Sequence, residues 1–254
     1  YYSRILSVVP VIHAESKSFK DKMTIEITHS TLSERKFRGQ AVYYRVIDEL
    51  NKNSEFKPYF EPFEISKTST IETYFRESIE SKGPLSATVS ATFFKKPNNF
   101  TIDIKSTYNP QYHAGGPEGL IDGIFGTENW RKGDWQGYQI HDFEAIIDMQ
   151  STREINQITA NFLQDTRSWI LMPTKVEYYI SDDNVNFTLF DTQNNTIDPK
   201  DYNSIIKGFK SIKKHVKARY VKVKATNFGK LPEWHQGFPF DGEAFIFVDE
   251  ITVE

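Results

Sequence analysis

The chain has 254 residues, too many for one β-sandwich domain of about 100 residues and enough for two. Aromatic residues make up 15% and charged residues 26% of the sequence, which predicts globular domains with apolar cores and excludes a disordered chain. The net charge of −3 argues against nucleic-acid binding, and the absence of cysteine excludes disulfides, thiolate metal sites and a cysteine nucleophile.

The first part of the chain alternates apolar and polar residues with the period of β-strands. The alternating runs are residues 23–28, 42–46, 71–75 and 87–93, and residues 5–14 favour an opening strand. One polar face per strand is typical of antiparallel sheets, and no helical period is sustained before residue 95. We therefore predict a β-sandwich over residues 1–94. Since the chain begins at Tyr1 without methionine, we expect it to be a piece of a longer protein.

A polar, proline-containing segment at residues 95–99 predicts a short linker, and a second strand series follows it. Its runs are residues 100–104, 144–149, 155–163, 176–181, 220–225 and 246–253. Residues 198–209 are predicted to hold a helical turn. No run approaches the roughly 18 apolar residues of a membrane span, so membrane contact is not expected. The second predicted domain is residues 95–254, and the fold class is all-β, two sandwiches in tandem.

Residues 42–75, "VYYRVIDELNKNSEFKPYFEPFEISKTSTIETYF", resemble the immunoglobulin- or fibronectin-like domain that follows the catalytic barrel in chitobiases and β-N-acetylhexosaminidases. Asp48-Glu49 replaces the usual Asp-Gly pair of that family, and its characteristic proline is missing. The resemblance implies a structural spacer.

The second domain resembles the factor V/VIII C-type, or discoidin-like, domain. The matching blocks, in the family's order, are "LIDGIFGTENW" (120–130), "KVEYYISDDNVNFTLF" (175–190), "KARYVKVKA" (217–225) and "FVDEITV" (247–253). The resemblance implies a jelly-roll β-sandwich of the galactose-binding-like, carbohydrate-binding type.

The same resemblance implies a structural calcium site. Its ligands would be the side chains of Asp122, Thr127 and Glu250 with a backbone carbonyl at Leu120. Such a set fits the physics, because calcium prefers six to eight oxygen ligands and the ion would join a loop to the last strand. The alternative is that Asp122 begins a turn with Gly123 and that Glu250 is a surface residue. No organic cofactor is expected.

Three long loops carry all four tryptophans and predict a glycan-binding face, since sugars are held by aromatic stacking and planar hydrogen bonds. The predicted glycan-binding residues are Trp135, Arg167, Trp169, Trp234, His235 and Asp241. The alternative is that Trp130 and Trp135 plug the mouth of the sandwich. Trp130 is interpreted as core, and for Trp169 and Trp234 a core role stays equally open. The Lys- and Arg-rich run 207–224 is interpreted as a solvated face, with attraction of acidic glycans as the alternative.

No catalytic residues are predicted. The stretch "HAGGPE" (113–118) resembles the acid/base motif of hexosaminidases, but Pro117 stands where the family has an aspartate. We therefore expect a non-catalytic accessory region of a secreted, periplasmic or surface glycoside hydrolase from a bacterium, most similar to β-N-acetylhexosaminidases, with its own catalytic domain and a galactose- or N-acetylhexosamine-containing glycan as partners. The alternatives are purely structural packing on that catalytic domain, or adhesion to a protein or lipid surface through "SWILM" (168–172).

Overall fold

The computed structural model describes residues 9–29, 41–76, 79–80, 83–84 and 86–254. Over these residues the chain is all-β, its only helical segments being short 3₁₀ turns, so the predicted fold class is confirmed. The chain divides into two compact units, Tyr1–Lys96 and Pro97–Glu254. The division lies two residues beyond the predicted boundary, because Lys95 is the last residue of a strand and not part of a linker. No helix among the described residues is long and apolar enough to cross a membrane.

The first unit contains two sheets. The described strands are β1 (Pro10–His13), β2 (Ser18–Phe19), β3 (Met23–His29), β4 (Ala41–Ile47), β5 (Lys57–Pro58), β6 (Phe63–Ile65), β7 (Ser69–Arg76) and β8 (Val89–Lys95). One sheet has the order β1-β3-β6 and the other β2-β8-β7-β4-β5. Of the predicted opening strand, residues 5–8 lie outside the described part of the chain, and the remainder contains β1.

The core of the first unit lies between these sheets. Ile25 and Ile65 face it from the first sheet, and Tyr44, Ile71 and Phe93 face it from the second. The alternation of the sequence explains this arrangement, since every second residue of a strand points to the same side. The first unit is therefore a β-sandwich.

The second unit also contains two sheets. The strands are β9 (Thr101–Ile104), β10 (Gln136–Gln139), β11 (Phe143–Ile155), β12 (Ile158–Gln164), β13 (Lys175–Ser181), β14 (Thr188–Asn194), β15 (Ile205–Lys210), β16 (Val216–Thr226) and β17 (Phe245–Val253). The four-stranded sheet has the order β10-β17-β12-β15 and the five-stranded sheet β14-β13-β16-β11-β9. The predicted helical turn at residues 198–209 is wrong, because Ile205–Lys210 pair with β12 and only a tight turn at Asp198–Asp201 precedes them.

One large apolar core fills the space between these sheets, with Phe162 and Ile246 on one side and Ile147 and Val223 on the other. A second cluster covers the outer face of the four-stranded sheet, where Trp135 and Phe247 pack with partly buried Trp130 and Tyr112. The long loops therefore contribute their own core.

The strand register decides which loops share an end of the sandwich. Gln164 of β12 lies opposite Ile205 of β15, and Leu163 lies opposite Phe247 of β17. Hence the loops after β12, before β15 and before β17 meet at one end of the unit. The opposite end holds the closing residues of β17, where Val253 pairs with Ile158.

Candidate functional site

The turn at residues 165–168 joins the loops at the end of the second unit where β12 ends and β15 and β17 begin. The Thr166 hydroxyl donates to the carbonyls of Pro199 and Asp201, each at 3.0 Å. The His235 ring nitrogen Nε2 lies 2.7 Å from the Thr166 carbonyl, and the Gln236 amide donates to the Arg167 carbonyl at 2.8 Å. Segments 195–204 and 231–242 are thus tied to the same turn.

Three cations lie over aromatic rings around the 165–168 turn. The Arg131 guanidinium carbon is 4.1 Å from the Trp130 ring centroid, the Arg167 carbon is 5.8 Å from that of Tyr202, and the Lys200 ammonium is 5.5 Å from that of Trp234. Trp130 is tied to the turn directly, because its indole N–H donates to Asp165 Oδ2 at 3.1 Å. We call Trp130–Arg131, Tyr202–Arg167 and Trp234–Lys200 the three cation–aromatic pairs.

Two of the predicted glycan-binding residues do not fit that role in this structure, because Trp135 and His235 are each only 1% exposed. The Trp135 indole donates to the Thr127 carbonyl at 2.9 Å and lies beneath the loop. His235 uses both ring nitrogens internally, since Nδ1 accepts the Gly237 amide at 3.0 Å while Nε2 meets the Thr166 carbonyl. Both rings hold loops in place and have no surface for a ligand.

The other predicted residues lie at the surface of the loop cluster. Trp169 and Trp234 are half-buried, while Arg167 and Asp241 are exposed. Trp169 packs closely on Gly242, where an added Cβ would lie 3.1 Å from the ring, so most of its contact is with the loop. Asp241 pairs with Lys230 at 2.6 Å. Trp234 and Arg167 are therefore the predicted residues best placed to meet a ligand.

Sequence reasoning missed Lys200 and Tyr202, because the segment between β14 and β15 contains no tryptophan and was predicted as a helical turn. It also did not single out Phe238 and Phe240, which are 46% and 76% exposed on the loop before β17. The sequence signal for these two residues is the motif "GFPF" (237–240), in which two aromatics flank a proline.

The predicted calcium residues lie on the strand β17 and on the loop at residues 122–127. Asp122 and Glu250 are both buried. Glu250 Oε2 accepts the amide of Gly123 at 3.2 Å, and Asp122 Oδ1 accepts that of Ile124 at 2.9 Å. The structure therefore places Asp122 and Glu250 beside each other, and Glu250 is not the surface residue of the alternative interpretation.

A β-bulge aims a further carboxylate at the same loop. Asp249 and Glu250 together oppose the single residue Asn161 of β12, so both side chains reach the loop although they are adjacent. Asp249 Oδ2 accepts the amide of Gly126 at 2.6 Å, while its Oδ1 is buried without a hydrogen-bond partner. The loop is thus fastened to the bulge through Gly123 and Gly126.

Burial sets the electrostatics of this bulge. Burial, followed by the charge of Asp122, raises the pKa of Glu250 to about 9, and burial raises the pKa of Asp249 to about 7. Without a counter-charge, these carboxylates are disfavoured as anions. A cation at Asp122 and Glu250 would remove that penalty, so the donor set fits a hard divalent ion.

The two remaining predicted calcium ligands, Leu120 and Thr127, lie on either side of Asp122 in the sequence. Leu120 ends the 3₁₀ turn Pro117–Leu120, and Thr127 is exposed, with its carbonyl already bonded to Trp135. Within the described ranges, no group of three or more His, Asp or Glu side chains has an arrangement that could hold a metal ion. A site here would therefore use two carboxylates and depend on backbone and hydroxyl oxygens.

Other predicted surfaces have ordinary structural roles. Ile170, Leu171 and Met172 are buried, so "SWILM" provides no apolar spike for a lipid surface. In the basic run, Arg219 pairs with Asp148 at 2.9 Å and Lys224 with Glu144 at 3.1 Å. That part of the run belongs to a face of mixed charge.

The F5/8 type C domain family model matches residues 102–240. No curated protein sequence matches the chain significantly.

Several solved structures are similar to the chain at low identity. A Clostridium perfringens module, CpGH89CBM32-5, solved in complex with GalNAc-β-1,3-galactose, is 20% identical with a TM-score of 0.38, and the match covers 61% of this chain and 94% of that module. The C-terminal domain of a Bacteroides fragilis chitobiase is 20% identical with a TM-score of 0.38, covering 60% and 92% of the two chains. The family 32 module of C. perfringens NanJ, solved with galactose, is 16% identical with a TM-score of 0.39, covering 61% and 92%.

Proposed function

The chain belongs to the F5/8 type C domain family, and from this membership we propose that its second unit is a non-catalytic glycan-binding module. The observation that carries the proposal is the convergence of three loops on the 165–168 turn, with the half-buried Trp234 and the exposed Arg167 beside it. An indole can stack on the CH face of a sugar, and a guanidinium can donate paired hydrogen bonds to its oxygens. Asp241 and Trp169 border this surface.

Isothermal titration calorimetry on the whole chain tests glycan binding, with galactosides and N-acetylglucosaminides as separate titrants. We expect millimolar affinity or better, and a loss of about tenfold or more on Trp234→Ala, because stacking on a ring contributes on the order of 1 kcal/mol or more. Tyr220→Ala, which removes an aromatic from β16 away from the loops, is the matched control and should leave affinity unchanged. Flat traces for all sugars would contradict the proposal.

We also propose that the chain is the accessory region of an exported bacterial glycoside hydrolase of the β-N-acetylhexosaminidase type, with the first unit as its spacer. A weak module would then raise the local concentration of substrate around a tethered catalytic domain. Family membership and the chitobiase-like block at residues 42–75 support this parentage. The coding sequence upstream of Tyr1 tests it. We expect an export signal and an alternating β/α barrel there, and an unrelated domain would contradict it.

A second candidate function is packing against that catalytic domain, which the exposure of Phe238 and Phe240 favours. Phe240→Ser in the full-length parent distinguishes the two. Lower stability of the parent with unchanged retention on polymeric substrate would support packing, whereas unchanged stability with weaker retention would support glycan contact.

We further propose a structural calcium ion held by Asp122, Thr127, Glu250 and the Leu120 carbonyl. The burial of the two carboxylates beside each other supports it, since a divalent ion would compensate both charges. We expect calcium at 100 times its Kd to stabilise the unit by about 2.7 kcal/mol, seen as a rise in Tm. Glu250→Gln should abolish that rise, whereas Glu233→Gln, which changes an exposed loop glutamate, should not. A Tm that is equal with calcium and with chelator would contradict the site.

A further inference from the structure

Two buried polar side chains, at and just after the end of β12, fasten the loop between β14 and β15. Gln164 and Thr166 are both 0% exposed. The Gln164 amide donates to the carbonyls of Asp198 and Asp201 at 2.9 and 3.2 Å. The Thr166 hydroxyl lies 3.0 Å from the carbonyls of Pro199 and Asp201. All four contacts reach main-chain atoms of one tight turn, so they fix the backbone of the loop and leave its side chains free.

The strand alone does not require a polar side chain at Gln164. Its main chain pairs with Ile205 of β15, and its side chain is enclosed by the protein. The side-chain oxygen Oε1 is buried without a hydrogen-bond partner among the described residues. An unpaired buried polar atom destabilises a fold, whereas an apolar side chain of similar shape would not. The amide is therefore explained by the turn that it holds.

Two of the three cation–aromatic pairs join this loop to the proposed glycan-binding surface. Tyr202 is 42% exposed, and the Arg167 guanidinium carbon lies 5.8 Å from its ring centroid. The Lys200 ammonium lies 5.5 Å from the ring centroid of Trp234. Trp234 and Arg167 are the predicted residues best placed to meet a ligand, and each of them therefore has a neighbour from the fastened loop.

The loop offers a ligand an aromatic ring rather than a positive charge. Asp198 and Asp201 keep their charges although they accept N–H groups, and together they outnumber Lys200. A tyrosine ring can stack on the CH face of a neutral sugar and needs no counter-charge to do so. Tyr202 is accordingly the residue of this loop that is suited to a sugar.

We infer that Tyr202 is a further glycan-contacting residue, which stacks on a sugar ring beside Arg167, and that Gln164 and Thr166 are the positioning residues that hold it there; the inference rests on the proposed glycan-binding function. Because the backbone of the loop is fixed before a ligand arrives, the loop loses little conformational freedom on binding. The site then has two aromatic surfaces, Trp234 on one loop and Tyr202 on another.

Calorimetry and NMR on the whole chain test the contact, with methyl β-galactoside, lactose and N,N′-diacetylchitobiose as titrants. Tyr202→Ala should weaken the binding of the tightest of these sugars about tenfold, whereas the matched variant Tyr220→Ala on β16 should leave it within about twofold. In a chain with ¹³C only in its tyrosine rings, we expect an intermolecular nuclear Overhauser effect between Tyr202 and C–H protons of the sugar. The Tyr202 signal is assigned by its loss in Tyr202→Phe.

Thr166→Val tests the positioning role, because it removes the hydroxyl and keeps the main-chain carbonyl that meets His235. We expect an affinity loss of about fivefold, measured well below Tm, and recovery to within about twofold in Thr166→Ser. Thr166→Val combined with Tyr202→Ala should bind within about twofold of Tyr202→Ala alone, since both changes remove the same contact. Gln164→Leu is the second variant, because it removes the amide together with its unpaired oxygen, and it should weaken binding to a similar extent.

The outcomes separate this inference from the proposed function. Binding that falls with Trp234→Ala but not with Tyr202→Ala overturns the inference and leaves the proposed function standing, as does binding without an Overhauser effect from Tyr202. Losses from Thr166→Val and Tyr202→Ala that multiply in the double variant overturn the positioning role, and so does unchanged affinity in both Thr166→Val and Gln164→Leu. No binding of any of the three sugars overturns both the inference and the proposed function.

Discussion

Trp135 and Trp234 belong to the same unit, yet their surroundings give them different roles. Trp135 lies against Gly126, where an added Cβ would come within 2.4 Å of the ring, so the loop can close over the indole only with glycine at this position. Trp234 keeps part of its ring at the surface beside Lys200. One ring stabilises the fold, and the other is available for contact.

We expect Trp135→Ala to lower the free energy of unfolding by about 3–5 kcal/mol, because it leaves a cavity and removes the bond to the Thr127 carbonyl. Trp234→Ala should lower it by less than about 2 kcal/mol, since the ring is only half-buried. Urea unfolding measures both values. Equal losses for the two variants would mean that Trp234 is core as well.

From the sequence alone, Trp234 and Arg167 could be predicted as ligand-binding residues only because they lie in long loops that carry tryptophans. The burial of His235 depends on Thr166, a partner distant in the chain, whereas that of Trp135 depends on the close approach of Gly126 and on the bond to the Thr127 carbonyl, and residue type alone reveals neither. Residue type alone indicated binding, and the packing decides which indoles can bind.

At the scale of elements, two irregular strands position polar groups that regular strands would not. The bulge in β17 directs Asp249 and Glu250 to the loop at residues 122–127. In β11, the residues between Asp148 and Arg153 bulge away from β16, and Arg219 of β16 binds Asp148 through two bonds of 2.9 Å. The alternating sequence predicts both strands, but the only sign of the bulge in β17 is a change of phase, since its core residues are Ile246, Val248 and then Ile251.

The Asp148–Arg219 pair predicts a pH dependence. The hydrogen bonds from Arg219 lower the pKa of Asp148, so the pair contributes stability above the ordinary aspartate pKa, and the contribution disappears as pH falls through the lowered value. The pair is partly exposed, so we expect about 1 kcal/mol or less. Chemical unfolding of wild type and Asp148→Asn between pH 7 and pH 2.5 measures it. The difference between them should shrink with acid, and a constant difference would contradict the assignment.

At the scale of the whole molecule, the chain consists of two units that each have a core of their own. Strand periodicity was enough to predict all-β sandwiches, since the buried residues recur at every second position. It was not enough for β15, because the segment before it, at residues 198–204, contains turn residues and no apolar alternation.

We expect Pro97–Glu254 alone to fold and to bind glycan with a Kd within about threefold of that of the whole chain, because its strands pair with one another and its core is complete. Calorimetry on both proteins, with a thermal unfolding scan of the shorter one, measures this. A shorter protein that folds but loses binding would mean that the first unit contributes to the site.

All four tryptophans lie in the second unit, whereas the core of the first is built from phenylalanine, tyrosine and aliphatic residues. Indole fluorescence is therefore a natural reporter of one half of the chain. Unfolding of the first unit does not change tryptophan emission, but it is visible in far-ultraviolet circular dichroism. Two unfolding transitions in dichroism with only one in tryptophan emission would therefore assign each transition to its unit without any label.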